Sequence, residues 1–108
     1  MLEGYLYGQM LYREGVAEDF VYLEVNRAFG TLTGLKDVVG QRASATIPGI
    51  RESNPELFDI YGRVAQNGKP EQFEMYVAGL GRWFSVSVYC PEQAHFVAIF
   101  DNITARKQ

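Results

Sequence analysis

The order of the predicted elements places this chain of 108 residues in the α+β class. Two alternating apolar stretches come first, helical segments follow, and three more strands complete the chain. Strands that are separated from the helices along the sequence favour an antiparallel sheet. With 47% hydrophobic and 14% aromatic residues, the chain has enough apolar side chains to form one domain with a packed core.

A hairpin is predicted at the start of the chain. Residues 4–12 alternate loosely, and Arg13-Glu14-Gly15 has the composition of a tight turn. The returning strand covers residues 20–25, where apolar side chains alternate around Glu24. This alternation predicts that Leu23 and Val25 face the core.

A short helix is expected at residues 26–33. Asn26 can accept a hydrogen bond from an unpaired helical N–H group, so it is a good N-cap. Phe29 and Leu32 follow at helical spacing. Gly34 can adopt the left-handed conformation that ends the helix.

Residues 35–50 contain two glycines and a proline, which permit only short helical turns.

A longer helix follows. Asn54 is placed to cap it, Pro55 suits the first helical position, and Asn67-Gly68 ends it. Its apolar stripe is directed at a sheet and consists of Leu57, Ile60, Tyr61 and Val64.

Three strands are predicted at residues 72–77, 82–90 and 95–100. The second of them has two serines on one face, so the opposite face is expected to be the inner one. The last strand is too uniformly apolar for its faces to be assigned.

Two motifs resemble those of a PAS domain, a sensory module of bacterial signalling proteins. The first is the strand that ends in Val25-Asn26 and continues into a helix with Ala28-Phe29 and a Thr33-Gly34 stop. The second is Ile103-Thr104 with Arg106 and Lys107 near the end of the chain. The resemblance covers nearly the whole sequence. It implies a five-stranded antiparallel sheet in the order 2-1-5-4-3, with short helices and one longer helix packed on one face.

The resemblance also implies a function. Residues 1–108 would be a single non-catalytic sensor domain excised from a longer signalling protein, binding a small ligand or partner and relaying the change to a C-terminal effector. The exit signal would pass through Asn102, Ile103, Thr104 and Arg106. Asn102 stands where the family has Asp, which leaves the family's contact at the exit open. The parent could be a histidine kinase of a two-component system or a cyclic-dinucleotide enzyme.

An aromatic-rich pocket is expected between the longer helix and the inner sheet face. It would hold a small, largely apolar ligand, oriented by a polar group such as Tyr61 or Thr33. The same side chains could instead simply fill the core. The candidate residues are Leu23, Val25, Phe29, Leu32, Thr33, Phe58, Tyr61, Phe73, Met75, Phe84, Val86 and Val88.

No cofactor is predicted. Haem-bearing PAS sensors commonly bind iron through a histidine on the long helix, and residues 55–66 contain none. Flavin photosensors of the LOV group carry an Asn-Cys-Arg motif ahead of that helix, and residues 41–54 contain no cysteine. Haem and a cysteinyl flavin are therefore disfavoured, whereas a flavin held without a cysteine stays open and a small organic ligand is compatible with the sequence.

Other kinds of chemistry have little support. Cys90 and His95 are the single cysteine and the single histidine, too few for a structural zinc site and without an orienting group for catalysis. The net charge of −3, with dispersed basic residues, argues against nucleic-acid binding. No apolar run approaches the roughly 20 residues of a membrane span, so direct membrane contact is not expected. A cytoplasmic location is the default for this domain, even if the parent protein is membrane-anchored.

Several aromatic residues are predicted to lie on the outer sheet face, where they would contact a second copy, an N-terminal helix or a neighbouring domain. Alternatively, they would only stabilise the pairing of neighbouring strands. A homodimer is expected on this basis. The residues are Phe20, Tyr22, Tyr76, Trp83 and Tyr89. Two alternatives to a ligand sensor stay open: a ligand-free dimerisation module, and a small cone-shaped α+β enzyme. The enzyme would need a carboxylate directed into its cavity.

Overall fold

The computed structural model describes residues 2–107, so the first and last positions of the predicted domain lie outside the described residues. The elements follow one another in the predicted order. They are β1 (Gly4–Arg13), β2 (Val16–Val25), α1 (Arg27–Thr33), α2 (Ala43–Thr46), α3 (Ile50–Ser53), α4 (Pro55–Asn67), β3 (Glu71–Val77), β4 (Arg82–Tyr89), β5 (His95–Asn102) and a 3₁₀ helix (Thr104–Lys107).

The strands form one sheet in the order β2-β1-β5-β4-β3, and every neighbouring pair is antiparallel. The predicted α+β class and strand order are therefore confirmed. The last strand lies at the centre of the sheet, between β1 and β4. Helix α4 packs on the inner face, where the core is concentrated. Among residues 2–107, no helix has the length and apolar character needed to cross a bilayer.

The first hairpin turns tightly at Glu14-Gly15. Both residues have positive φ angles, 52° and 79°, as required by the two-residue turn that matches the twist of paired strands. The turn therefore lies where the sequence predicts it, although β2 begins four residues before the predicted strand.

A β-bulge in β2 changes which side chains face the core. Tyr7 pairs with Glu24 and Gly8 pairs with Tyr22, so Leu23 is an extra residue without a partner. Phe20 and Tyr22 consequently point inward, each 2% exposed, whereas Leu23 is 36% exposed. The predicted facing of these three residues is wrong, because strict alternation does not hold through a bulge.

The remainder of this region agrees with the sequence. Val25 lies beyond the bulge, opposite Leu6, and packs against the core as predicted. Asn26 caps α1 by accepting a hydrogen bond from Phe29 N at 2.9 Å, and the same oxygen accepts one from Tyr5 N at 3.0 Å. One side chain thus fixes both the start of α1 and its position against β1.

The segment before α2 covers part of the free border of β2. Tyr22 N donates a hydrogen bond to Gln41 O at 3.0 Å, and Gly40 N donates one to Tyr22 O at 2.8 Å. Nearby, the buried carboxylate of Asp19 accepts hydrogen bonds from the backbone and the hydroxyl of Ser44, in the first turn of α2. Asp19 therefore acts as a cap for a helix that is distant in sequence.

Helix α4 begins at Pro55 and ends at Asn67 with Gly68 as its C-cap, as predicted. However, the Asn54 side chain does not cap it. This buried amide instead donates to Tyr76 O at 2.7 Å and accepts from Ala78 N at 3.2 Å. The predicted capping bond is replaced because Asn54 lies beneath the end of β3, where two backbone groups need partners.

The inner faces of β4 and β5 consist of alternating apolar residues. Phe84, Val86 and Val88 are buried on β4, as expected. On β5, whose faces the sequence does not distinguish, Phe96, Ala98 and Phe100 belong to the core. The core is therefore closed by alternating residues of the two central strands.

Candidate functional site

A small cavity lies between α4 and the inner sheet face. Its volume is about 60 Å³. Of the predicted pocket residues, its lining includes Phe29, Thr33, Tyr61, Phe73, Met75, Phe84 and Val86. It also includes residues that are not among the predicted pocket residues, namely Leu6, Phe20, Tyr22, Leu35, Ile47, Ile50, Leu57, Val77, Leu80 and Phe100.

The other predicted pocket residues lie elsewhere. Phe58 and Val88 are buried in the core but do not border the cavity. Val25 and Leu32 are partly buried against the core, and Leu23 is exposed because of the bulge. These five residues therefore do not line the cavity: four of them pack in or against the core, and Leu23 lies at the surface.

The lining is almost entirely apolar, with three hydroxyl groups and no charged side chain. Thr33 is satisfied within the chain, since its hydroxyl donates to Phe29 O at 2.7 Å and accepts from Leu35 N at 3.1 Å. Tyr22 has its hydroxyl 3.1 Å from Thr46 Oγ1, and burial raises its pKa to about 12. The cavity therefore lacks the inward carboxylate that the cone-shaped enzyme alternative requires.

Tyr61 differs from the other two hydroxyl residues. Burial raises its pKa well above the usual value for tyrosine, so the phenol stays protonated. Its hydroxyl forms no hydrogen bond with any residue from 2 to 107. Every fully enclosed side-chain nitrogen or oxygen atom in that range has a hydrogen-bond partner. Since the Tyr61 hydroxyl has none, it is not fully enclosed and borders free space. Tyr61 is also one of the residues that line the cavity.

The open side of the cavity lies between the segment after α1 and the β3–β4 hairpin. The lining residues that are only partly buried are Leu35, Phe73, Met75 and Leu80. Arg82 Nη1 donates to Leu32 O at 2.9 Å and so joins the end of α1 to the start of β4. This charge-assisted bond holds the two sides of the opening together.

The cavity is directly connected to the end of the chain. Phe84 and Phe100 both line it, and their ring centroids are 5.6 Å apart. The neighbour of Phe84, Trp83, accepts a hydrogen bond from Ile103 N at 2.9 Å and donates one to Thr104 Oγ1 at 2.9 Å. The predicted exit residues are therefore bonded one residue away from the cavity wall.

Asn102 keeps an acceptor role at the exit. Its side-chain oxygen accepts hydrogen bonds from Thr104 N at 2.9 Å and from Thr104 Oγ1 at 2.6 Å. An amide oxygen can accept both, so these contacts do not require a charge. Arg106, also predicted for the exit, is exposed and makes no ion pair with residues 2–107.

A different cation attaches the 3₁₀ helix to the sheet. Lys107 Nζ lies 2.6 Å from Glu74 Oε1 on β3 and 4.8 Å from the ring centroid of Trp83. The hydrogen bond from Lys107 lowers the pKa of Glu74. The outer sheet face thus holds the C-terminal segment through charge and an aromatic ring.

Three of the predicted partner-face residues point outward. Tyr76 and Tyr89 are 44% and 45% exposed, and Trp83 is partly exposed with its ring 5.8 Å from that of Tyr76. Phe20 and Tyr22 are buried and cannot belong to this surface. The outer face therefore carries fewer exposed aromatic rings than the sequence suggests.

Cys90 and His95 do not form a nucleophile and base pair. The sulfur of Cys90 lies 3.0 Å from Glu92 O, whereas His95 Nδ1 lies 2.9 Å from Gln93 O and the imidazole stacks on Tyr7 at 5.7 Å. Within the described residues, no group of three or more His, Cys, Asp and Glu side chains could hold a metal ion.

No protein-family model matches the sequence, and no curated protein matches it. Solved structures do match. A domain of an HTR-like protein from Haloarcula marismortui is similar with a TM-score of 0.68 and 19% identity, over 96% of this chain and 100% of that one. The LOV domain of a blue-light activated histidine kinase from Erythrobacter litoralis gives 0.55 and 20%, over 96% and 98%.

A third similar structure is an RNA-binding light-oxygen-voltage receptor, with a TM-score of 0.64 and 17% identity. The match covers 99% of this chain and 31% of the receptor. At these identities the likeness concerns the fold. The fold predicted from the two sequence motifs is thereby confirmed.

Proposed function

From the PAS-type fold of this chain, we propose that it is a non-catalytic sensory module that binds a small ligand and relays the change to its C-terminal end. One observation carries the proposal: the residues that hold the exit segment are neighbours of residues that line the cavity. The two candidate sites of the domain, the cavity and the exit, therefore share one pair of strands.

The relay follows from this arrangement. A ligand that moves the ring of Phe100 also shifts β5, on which Asn102 lies two residues further along. A ligand that moves Phe84 shifts Trp83 and its bonds to Ile103 and Thr104. The ligand changes the exit only by binding one arrangement of these strands more tightly than another.

The size of the cavity restricts the ligand. Sites for drug-sized molecules have volumes of about 300–1,000 Å³, and a cavity of about 150 Å³ holds benzene. The 60 Å³ available here accommodates neither a flavin nor a haem. Moreover, the lining contains no histidine to ligate haem iron and no cysteine to form a covalent bond with a flavin. Neither cofactor is therefore part of the proposal.

The wider setting is proposed by analogy. We place the domain in a longer cytoplasmic signalling protein of bacterial type, in which the exit segment continues into an effector. One similar structure is the LOV domain of a histidine kinase, and another belongs to a receptor about three times as long as the matched part. A two-component kinase is therefore a suitable parent.

Xenon under pressure can test the relay, because it enters apolar cavities without needing a polar contact. We expect ¹H–¹⁵N spectra to show shifts at Phe84 and Phe100 and, in the same titration, at Ile103 and Thr104. The amide of Lys69, bonded to Asn67 in an exposed loop, is the internal control. Shifts that stop at the cavity wall would contradict the relay.

A second candidate function is dimerisation without a ligand. The exposed rings of Tyr76 and Tyr89 on the outer face favour it. Analytical ultracentrifugation of the wild type and of Tyr89→Ser tests for a dimer. A dimer that weakens in the variant, together with no xenon response, would make this the better description.

A further inference from the structure

We infer that the cavity selects a compact, uncharged molecule with one hydrogen-bond acceptor, to which the hydroxyl of Tyr61 donates. This inference deepens the proposed ligand-binding function and rests on it. The ligand class consists of ethers and carbonyl compounds with very few non-hydrogen atoms.

The hydroxyl of Tyr61 is available for a ligand. The other hydroxyls of the lining, those of Thr33 and Tyr22, already have partners within the chain. Tyr61 is 5% exposed, yet its hydroxyl has no partner among residues 2–107 and borders free space. A molecule that accepts a hydrogen bond from this hydroxyl gains an interaction that a molecule without an acceptor cannot make.

The ring of Tyr61 is held in place. It stacks on Phe96 with centroids 4.3 Å apart and makes edge contacts with Phe20 at 5.7 Å and Phe73 at 6.3 Å. A donor on a fixed ring loses little conformational freedom when a ligand binds. The direction of the hydrogen bond is therefore set before the ligand arrives.

The remaining lining defines the rest of the ligand. No charged side chain borders the cavity, so an ionic ligand would lose its hydration without compensation. A cavity of about 150 Å³ holds benzene, which has six non-hydrogen atoms, so in proportion 60 Å³ holds roughly two or three such atoms. A three-atom molecule with a central oxygen matches both the volume and the single donor.

Dimethyl ether and propane provide a matched pair of probes, because they have the same shape and only the ether accepts a hydrogen bond. We would titrate each into wild-type protein and into Tyr61→Phe, following the methyl signals of Met75 and Leu80 by NMR. Losing one hydrogen bond should weaken ether binding about two- to tenfold. Propane should bind both proteins equally. Tyr76→Phe, which removes a hydroxyl from the exposed face, should change neither affinity.

The outcomes separate the inference from the proposed function. If both probes bind and Tyr61→Phe leaves ether binding unchanged, the role of Tyr61 is overturned and ligand binding stands. If neither probe binds the wild type, the inference and ligand binding in the cavity both fail, and ultracentrifugation of the wild type and Tyr89→Ser then tests dimerisation in their place. Since no residue needs the hydroxyl for folding, Tyr61→Phe should keep a native spectrum, and an unfolded variant would also contradict the inference.

Discussion

Val86→Ile is expected to stabilise the protein, because it fills part of the cavity. Val86 lies on β4, is 6% exposed, and is paired with Phe73 on one side and Phe100 on the other. All three residues line the cavity. The substitution adds one methylene group to a residue that borders open space.

The magnitude follows from the cavity volume. At about 24 cal/mol per Å³, a cavity of 60 Å³ destabilises the fold by about 1.4 kcal/mol, which sets the largest possible gain. Burying one methylene group contributes about 0.8 kcal/mol. The expected gain is therefore about 0.8 kcal/mol, or an increase of about 4 °C in Tm for a domain of this size.

Urea unfolding followed by circular dichroism measures the change. Val88→Ile is the matched control, since Val88 lies on the same strand and the same face, is 1% exposed, and does not border the cavity. An added methylene group has no space there, so the control should lose about 1–3 kcal/mol. Equal destabilisation by both substitutions would refute the reasoning, because it would mean that no free volume adjoins Val86.

Three further predictions concern other contacts. Gly62→Ala should destabilise the protein by about 1–3 kcal/mol in urea unfolding, because the new Cβ would lie 2.6 Å from Ala17 Cβ. Gly30→Ala is the control and should lower the free energy of unfolding far less, because the nearest atom to its new Cβ is 3.4 Å away. Asn102→Asp should keep the amide exchange protection of the exit segment, whereas Asn102→Ala should lose it; equal protection in both would remove Asn102 from the exit contact. The free energy of unfolding should fall between pH 10 and about pH 12, because unfolded tyrosine loses its proton near pH 10, whereas burial raises the pKa of folded Tyr22 to about 12. Tyr22→Phe should reduce this loss of stability by up to about 3 kcal/mol. An unchanged dependence of stability on pH in the variant would exclude Tyr22 as the source of the loss.

The sequence predicts the fold well where local chemistry decides the structure. Asn26 and Gly34 define α1 because a capping side chain and a left-handed residue act within one turn. The serines of β4 identify its outer face for the same local reason. Strand order is not a local property, and its prediction depends on the resemblance of two motifs to those of a PAS domain.

The site is predicted less completely, because it depends on register and long-range contacts. The bulge at Leu23 exchanges the faces of β2, and no single residue in the strand signals it. Phe100 joins the lining because β5 lies between two strands, which the uniform apolar run of β5 does not reveal. Asn54 matches an N-cap in sequence, yet the end of β3 offers its amide better partners.

The segment before α2 also affects how molecules meet one another. A bare sheet border recruits strands from neighbouring chains, which leads to aggregation. At the β2 border, both backbone polar groups of Tyr22 are already engaged by Gly40 and Gln41, so an incoming strand finds no continuous row of donors and acceptors. At the opposite border, Glu71 and Glu74 place charges along β3. Edge-to-edge pairing between the sheets of two molecules is thus discouraged at both borders.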